Sequence, residues 1–213
     1  MKVTILGSGN MARAIATRLV AGGNSVTLLD RDPEKASKLA QELSGQGKKG
    51  AKVQAAALGS PIGDPVVVSA LYYQVAQEVV RSYKDQLAGK VLVDICNPLN
   101  QTFDDLATPP GTSAAEELAK LAPGARVVKA FNTTFAGLLA QGHVGGEPLD
   151  VFIAGDDEQA KATVTGLIAE GGLRIFDAGP LRRARQLEGL GLLSISLQSK
   201  MAKPWMTGVR LTD

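Results

Sequence analysis

A glycine-rich loop near the start of the chain has the residue types and the spacing of a dinucleotide-binding loop. The stretch GSGNMA places Gly7, Gly9 and Ala12 in the pattern G-x-G-x-x-A, between a short apolar run and a helical pattern. In such a loop the first glycine permits a tight turn, the second lets the backbone approach a pyrophosphate, and the alanine lets the helix pack closely on the strand. The N–H groups at the start of the helix then bind the pyrophosphate. The loop therefore predicts a dinucleotide-binding site.

Charged residues after the second apolar run bear on which dinucleotide is bound. Asp30 stands where the fingerprint requires an acidic residue, which accepts hydrogen bonds from a free ribose 2′-hydroxyl and so suits NAD(H). Arg31 and Lys35 are cations that suit the 2′-phosphate of NADP(H) instead. An aspartate side chain can rotate away while two cations bind the phosphate. We therefore favour NADP(H), with NAD(H) as the alternative.

Strands and helices alternate along the chain and position this loop. Apolar runs predict strands at 3–6, 26–29, 64–71, 90–97, 125–132, 149–155 and 173–179. Helical spacing and capping residues predict helices from 11, from 33, at 74–89, within 112–124, near 134–140, at 157–170 and from about 181. The segment 44–52 is predicted to be a flexible connection, and 98–111 a long loop of the kind that often serves function.

Repeated strand–helix–strand units predict the fold class. They indicate an α/β protein with a Rossmann-type, doubly wound parallel sheet. We expect a dinucleotide-binding Rossmann domain at residues 1–140. We expect a small C-terminal α/β lobe that ends in a long helix at residues 141–213.

The composition argues against several classes of protein. A net charge of +2 on 213 residues, without a long run of Lys and Arg, argues against a nucleic-acid partner. The single cysteine, Cys96, excludes an internal disulfide, and the single histidine, His143, removes most histidine-based metal sites, so we expect no metal. The N-terminus has no signal-type segment, and no apolar run is long enough to span a membrane. We therefore expect a cytoplasmic protein.

Five stretches of the sequence resemble a known family. They are GSGNMARA (7–14), SAAEELA (113–119), VVKAFNT (127–133), VFIAGDD (151–157) and DAGPLRRARQLE (177–188). In this order they are similar to the NADPH-dependent coenzyme F420 reductases and to the related oxidoreductase domain of STEAP-type metalloreductases. The resemblance implies a Rossmann domain with a short C-terminal lobe, usually dimeric. It also implies that NADP(H) lies on the glycine loop and that its nicotinamide end meets a second redox cofactor in a cleft.

The resemblance assigns cofactor contacts to positions of this chain. It places the pyrophosphate beside the turn at Gly7, on Ser8, Gly9, Asn10 and Met11, and the ribose on Asp30, Arg31 and Lys35. It lines the nicotinamide side with Ala70, Leu71, Val75, Asn100 and Ala136, and it places Asn97, Pro98, Asn132 and Thr133 nearby.

Two positions depart from the pattern of the F420-using members. Those members place a small hydroxyl residue followed by basic ones where this chain has DRD, beginning at Asp30. They also carry a histidine in the VVKAFNT segment, where this chain has Asn132, as the STEAP-like branch does. The second departure makes a flavin, FMN or FAD, a candidate beside F420 for the second redox partner.

The residue inventory predicts no catalytic side chain. Hydride transfer between a nicotinamide and a flavin-like ring needs two stacked rings and the exclusion of water, and it needs no acid from the protein. A carbonyl reductase needs a proton donor, and no Tyr-x-x-x-Lys pair starts at Tyr72, Tyr73 or Tyr83. The leading prediction is an NAD(P)H-dependent oxidoreductase with a flavin or deazaflavin as small-molecule acceptor. The alternatives are a non-catalytic NAD(P)(H)-sensing module and a small imine or carbonyl reductase.

Several further residues have expected places. Tyr72 and Tyr73 follow a strand at the edge where ligands bind in open α/β sheets, so one of them is expected to flank a ring. Cys96 is expected to be a buried small hydrophobe, and His143 a solvated loop residue.

The C-terminal helix has two features of its own. The arginines within 182–185 suit either a solvated face or the anionic tail of an acceptor. The stretch GLGLLSISL (189–197) is too apolar for an exposed helix, so we expect it to be buried against the sheet or in a homodimer interface.

Overall fold

A computed structural model describes residues 1–47 and 50–212. The strands are β1 (Lys2–Leu6), β2 (Ser25–Asp30), β3 (Val53–Ala57), β4 (Val66–Ser69), β5 (Val91–Asp94), β6 (Arg126–Lys129), β7 (His143–Val144), β8 (Glu147–Pro148), β9 (Asp150–Gly155) and β10 (Arg174–Asp177). The helices are α1 (Asn10–Ala21), α2 (Pro33–Leu43), α3 (Tyr73–Ser82), α4 (Ala114–Leu121), α5 (Ala136–Gln141), α6 (Glu158–Glu170) and α7 (Ala184–Ser196). Short 3-10 turns, Leu181–Arg183 and Gln198–Lys200, flank α7.

Eight strands form one sheet in the order β10-β9-β6-β5-β4-β1-β2-β3. Neighbouring strands are parallel except β6 and β9, which pair antiparallel. The order runs outward from β1 in both directions, so the carboxyl ends of β1, β4 and β5 meet at one edge where the winding reverses. The predicted α/β, Rossmann-type doubly wound fold is confirmed, and the β6–β9 pair is a local departure from it.

Alternating apolar residues place β1 at the centre of the core. Val3 and Ile5 pack on one face of the sheet with Ile15 of α1, whereas Leu6 packs on the other face with Val67 of β4. Successive side chains of a strand point to opposite faces, so a strand with helices on both sides has an almost continuous apolar sequence. This explains why the run directly before the glycine loop lies buried in the middle of the sheet.

The edge strand β3 has no strong signal in the sequence. VQAAA is rich in alanine, which has a low strand propensity, and it lacks a run of β-branched residues. The strand forms because it pairs in register with β2, with Val26 opposite Val53. The predicted flexible connection 44–52 precedes it, and its positions 48 and 49 lie outside the described residues.

The third helix is shorter than predicted. The pattern over 74–89 predicts one helix, but α3 ends at Ser82 and is followed by turns. Tyr83 is buried, and its hydroxyl accepts a hydrogen bond from Gly59 N–H (2.6 Å) and donates one to Ser60 O (3.1 Å). These bonds fix the aromatic ring under a neighbouring turn, which the local pattern does not show.

The C-terminal part of the chain joins the same sheet. β9 and β10 extend it beyond β6, so the division into domains at residues 140 and 141 stays a prediction. After α7, a C-terminal tail of residues 201–212 returns to the sheet: Gly208 forms a β-bridge with Thr134, and Leu211 N–H donates to Asp150 Oδ2 at 2.9 Å. None of the helices in the described residues is long and apolar enough to cross a bilayer.

Candidate active site at the carboxyl edge of the sheet

A cavity of about 1220 Å³ opens at the carboxyl edge of the sheet. It lies where β1, β4, β5 and β6 end, between the starts of α1, α3 and α5. The predicted site residues that line it are Gly9, Asn10, Met11, Ala70, Leu71, Val75, Asn97, Asn100, Asn132 and Ala136. The others, Gly7, Ser8, Asp30, Arg31, Lys35, Pro98 and Thr133, lie outside its lining.

Gly7 and Gly9 of the loop are glycines for different structural reasons. Gly7 has a φ of 103°, and a Cβ there would lie 2.8 Å from Ala70 O, so the turn itself requires glycine. Gly9 has an ordinary φ of −75°, and a Cβ there would meet no atom of the described residues within 4 Å. The fold does not require Gly9 to lack a side chain. Its open face leaves room for a group that approaches the backbone closely.

The start of α1 has backbone N–H groups that can bind an anion. The α2, α4 and α6 helices are capped by the side chains of Asp32, Ser113 and Asp157. The helices α1, α3, α5 and α7 receive no capping bond from a side chain within the described residues and hold no acidic residue in the first turn, and α1 differs from the other three in directly following the glycine loop. The first N–H groups of a helix lack partners within it, and with the helix dipole they favour a bound anion.

Asp30 is held at the tip of β2 beside the glycine loop. Its Oδ2 accepts a hydrogen bond from Ser8 Oγ at 2.7 Å, and its Oδ1 accepts one from Asp32 N–H at 3.0 Å. Burial alone raises the pKa of Asp30, but these hydrogen bonds outweigh it and hold the pKa below the ordinary value. The carboxylate is therefore charged and oriented, rather than rotated away from the loop. Arg31 and Lys35, close by, are both exposed.

Two asparagines form a pair in the cavity wall. Asn97 Nδ2 donates to Asn132 O at 2.8 Å, and Asn132 Nδ2 donates to Asn97 Oδ1 at 2.9 Å and to Leu187 O at 2.7 Å. The Asn132 Oδ1 atom is buried and finds no hydrogen-bond partner in the described part of the chain. A buried carbonyl of this kind normally has a donor, so Asn132 Oδ1 is a polar group of the cavity wall that the described residues leave unsatisfied.

Helix α7 is packed directly on this pair. A Cβ on Gly191 would lie 2.3 Å from Asn97 Oδ1, so glycine is needed for the helix to approach this closely. The C-terminal helix thus forms the backing of the cavity wall. The part of the apolar stretch 189–197 nearest the site is explained by this packing.

A buried ionic cluster supports the wall from behind. The side chains of Lys129, Asp94 and Glu188 are fully buried, and Lys129 Nζ lies 2.7 Å from both Asp94 Oδ2 and Glu188 Oε1. Lys129 Nζ also donates to Cys96 O, and Asp94 Oδ1 accepts from Cys96 N–H at 3.1 Å. Glu188 Oε2 accepts from Ala114 N–H, at the start of α4, at 3.0 Å. The cluster therefore joins β5, β6, α4 and α7 and fixes the backbone of Cys96, which lines the cavity.

Neither Lys129 nor Cys96 is prepared to exchange protons at neutral pH. Burial alone lowers the pKa of Lys129, but Asp94 and Glu188 outweigh it and raise the pKa above the ordinary value. Burial raises the pKa of the Cys96 thiol well above its ordinary value, so the thiol stays protonated. Both groups are structural.

Of the remaining residues considered in the sequence, some line the cavity and others lie outside it. Tyr72 and Tyr73 both line the cavity, and Tyr72 is largely exposed. His143 is exposed, lies outside the lining, and bonds through Nδ1 to Gln141 O. Arg185 forms a bidentate pair with Glu116, at 2.8 and 2.6 Å, and none of the arginines at 182–185 lines the cavity.

Several lining residues have no signal in the sequence. The C-terminal tail contributes Pro204, Trp205 and Met206 to the cavity, and the long loop contributes Phe103. The tail follows the last helix and shows no periodicity, so its return to the sheet depends on contacts that only the folded chain reveals. Among the described residues, no group of three His, Cys, Asp or Glu side chains is arranged to hold a metal ion.

The chain is similar to proteins of known sequence and structure. A profile of the family described as "NADP oxidoreductase coenzyme F420-dependent" matches residues 2–98. The F420-dependent NADP reductase of Methanocaldococcus jannaschii is 31% identical over 225 residues, covering 100% of this chain and 99% of that protein. Metalloreductase STEAP3 of Rattus norvegicus is 36% identical over 191 residues, covering 90% of this chain. The match spans only 36% of the length of STEAP3.

A solved structure has the same fold over nearly the whole chain. The crystal structure of a putative F420-dependent NADP reductase from Arthrobacter sp. FB24 superposes with a TM-score of 0.82 at 29% identity, covering 96% of each chain. The fold, the glycine loop and the sequence matches thus all indicate similarity to F420-dependent NADP reductases.

Proposed function

The chain belongs to the family of F420-dependent NADP reductases and is an oxidoreductase, and we propose that it transfers a hydride between NADP(H) and the deazaflavin ring of coenzyme F420. The observation that carries the proposal is the start of α1 directly after the glycine loop, with the open face of Gly9, at one end of a cavity whose wall includes Asn132 with its unpartnered Oδ1. These features fit the pyrophosphate and the amide-bearing ring of a nicotinamide dinucleotide.

In this proposal the residues of the chain bind the two redox partners and orient their rings. When bound, the reduced nicotinamide supplies the hydride and the deazaflavin accepts it. The N–H groups at the start of α1 hold the pyrophosphate, and Asn132 Oδ1 accepts a hydrogen bond from the ring end of the ligand. The largely apolar lining, which includes Leu71, Val75 and Ile95, excludes water from the space between the rings. No side chain has to donate a proton, which agrees with the structural roles of Lys129 and Cys96.

NADP(H) is the dinucleotide that we propose. Arg31 and Lys35 are exposed beside the tip of β2 and suit a ribose 2′-phosphate. Ser8 and the Asp32 N–H group hold the Asp30 carboxylate in place, and its remaining lone pairs suit a free 2′-hydroxyl, so NAD(H) is the alternative dinucleotide.

A flavin is the second candidate acceptor. The observation that favours it is Asn132, which stands where the resemblance implies a histidine in F420-using members. The acceptor therefore has to be tested with F420, FMN and FAD side by side.

We also propose that the protein forms a homodimer through α7. Leu193 on this helix is exposed, although the helix is apolar along much of its length. Sedimentation-velocity ultracentrifugation of the wild type and of Leu193→Glu tests this: the wild type should sediment as a dimer and the variant as a monomer. A monomeric wild type would contradict the proposal.

The reductase proposal is tested by steady-state kinetics. NADPH or NADH is mixed with the purified protein and each acceptor, and oxidation is followed by the absorbance of the reduced nicotinamide. We expect NADPH to be consumed with F420. Replacing both Arg31 and Lys35 by alanine should raise KM for NADPH at least about tenfold, which corresponds to the loss of one charge-assisted contact of about 1.4 kcal/mol.

Asp30→Ser is the matched variant for the neighbouring position. It should weaken the use of NADH more than that of NADPH, because only the free 2′-hydroxyl depends on the carboxylate. A protein that binds both nucleotides but consumes neither with any acceptor would refute the reductase proposal.

A further inference from the structure

Strained aromatic residues surround the cavity. Among the described residues, the non-glycine residues with positive φ are Phe103 (60°), Phe131 (61°) and Trp205 (64°), and all three line the cavity. A bulky side chain rarely adopts this left-handed conformation, and such strain is concentrated at ligand sites. Phe131 is buried, whereas Phe103 and Trp205 are 62% and 54% exposed. Two large apolar rings are thus held open to the cavity at a cost in backbone energy.

Trp205 is fixed in place although its ring is exposed. The backbone N–H of Trp205 donates to Oε1 of the buried Gln198 at 2.7 Å, and Gln198 Nε2 donates in turn to Thr207 Oγ1 at 2.9 Å. The indole and the Phe135 ring form a T-shaped contact, with ring centroids 5.3 Å apart and an interplanar angle of 89°. Trp205 remains 54% exposed despite this contact.

The C-terminal tail is attached on the far side of Trp205 as well. The bridge between Gly208 and Thr134 ties it to the chain two residues after Asn132. Leu211 is bound through N–H to Asp150 and through its carbonyl to Arg174 Nη2 at 2.5 Å. The indole is therefore presented from a segment anchored before and after it, beside the part of the chain that carries the asparagine pair.

We propose that Trp205 is the stacking surface for the tricyclic ring of the acceptor, coenzyme F420, and this inference rests on the proposed function. The glycine loop gives the cavity a dinucleotide end, and a hydride acceptor must bind in the same cavity against the nicotinamide. A planar conjugated ring binds favourably to an exposed indole, because it covers apolar area and stacks on the aromatic face. Trp205 would thereby select for a tricyclic acceptor and against small carbonyl compounds.

Binding measurements on four proteins test this inference. Dissociation constants of oxidised F420 and of NADP⁺ are measured separately by isothermal titration calorimetry for the wild type, Trp205→Phe, Trp205→Ala and Leu211→Ala. Leu211 is the matched control because its side chain is a similarly exposed apolar group on the same tail, outside the cavity lining. Thermal unfolding of each variant shows whether it is folded, and quenching of F420 fluorescence reports stacking on the indole.

We expect Trp205→Ala to raise the Kd of F420 about tenfold, a loss of about 1.4 kcal/mol, and to abolish most of the quenching. Trp205→Phe retains a ring and should raise this Kd less than about threefold. The Kd of NADP⁺ should change in neither variant, and Leu211→Ala should change neither constant.

Two results would overturn the inference while the proposed function stands. One is a Trp205→Ala enzyme that reduces F420 and binds it as tightly as the wild type. The other is an equal weakening of F420 and NADP⁺ binding with a lower melting temperature, which would make the tryptophan a structural part of the tail. A folded wild type that binds no F420 but reduces FMN would refute F420 as the acceptor and this inference together.

Discussion

Removal of the Lys129 charge should strongly destabilise the fold, because it leaves two carboxylates buried without a cation. Lys129 bonds Asp94 and Glu188 at 2.7 Å, and all three side chains are completely inaccessible to solvent. Breaking a buried ion pair by removing one partner costs about 3–5 kcal/mol. We therefore expect Lys129→Met to lower the free energy of unfolding by about this amount, and the melting temperature by about 6–20 °C for a chain of this size.

Urea unfolding followed by circular dichroism measures the loss, and Lys161→Met is the matched control. The buried Lys161 also pairs with two carboxylates, those of Asp177 and Glu158, but both carboxylates are substantially exposed. Removal of Lys161 therefore leaves no carboxylate buried without a cation, so this control should lose less stability than Lys129→Met.

The pH dependence of the stability loss provides a second, independent test. Burial already raises the pKa of Glu188 in the wild type against the opposing effect of Lys129, so the pKa of Glu188 should rise further in Lys129→Met. The folded variant then binds more protons than its unfolded state, so the deficit against the wild type should shrink as the pH falls from about 8 to 5. Glu188→Gln added to Lys129→Met should recover part of the loss. A deficit no larger than that of the Lys161 control, or one independent of pH, would refute the assignment of this cluster as the support of the cavity wall.

Three further predictions concern the loop and the wall. Gly9→Ala should leave the melting temperature unchanged and weaken NADP⁺ binding, because its Cβ meets only the space assigned to the pyrophosphate. Gly7→Ala should instead lower the melting temperature, because Gly7 has a φ of 103°. Calorimetric titration and thermal unfolding measure these two effects, and a lower melting temperature of Gly9→Ala would contradict the reasoning. Gly191→Ala should reduce kcat/KM, because its Cβ would lie 2.3 Å from Asn97 Oδ1 and would displace the Asn97 side chain. Gly189→Ala should leave kcat/KM unchanged, because its Cβ meets no described atom within 4 Å. Equal activities of these two variants would argue against the close approach of α7. The depressed pKa of Asp30 contributes stability that is present above the ordinary pKa of an aspartate and is lost as the pH falls through the folded-state pKa. The wild type should therefore lose stability faster than Asp30→Asn between about pH 5 and 3. Parallel acid-denaturation curves of the two proteins would contradict this.

The local features of the fold could be predicted because each is determined by neighbouring residues. The run before Gly7, the helix from Asn10 and the capping of α2 by Asp32 depend on periodicity and short-range hydrogen bonds. β3 could not be predicted in the same way, because its alanines gain their strand conformation from pairing with β2. The antiparallel direction of β9 likewise depends on where the chain returns after α5, which local spacing does not determine.

The candidate site divides along the same line. The pyrophosphate end belongs to one continuous motif, so Gly9, Asn10 and Met11 could be placed from the sequence. The ionic cluster joins Lys129 to Glu188 across 59 residues, and both lie in motifs that the resemblance singled out without giving the contact. Trp205 reaches the cavity only because Gln198 and the bridge at Gly208 fold the tail back. Long-range contacts of this kind leave no periodic trace in the sequence.

Transfer of deuterium from the nicotinamide to the acceptor tests the central claim most directly. NADPH carrying deuterium at one or the other face of C4 is incubated with the purified protein and F420 without oxygen, and the reduced F420 is analysed by mass spectrometry. Direct hydride transfer between stacked rings predicts that the product carries one deuterium from one of the two labelled faces and none from the other. No reduction of F420, or reduction with the label lost to solvent, would contradict the account.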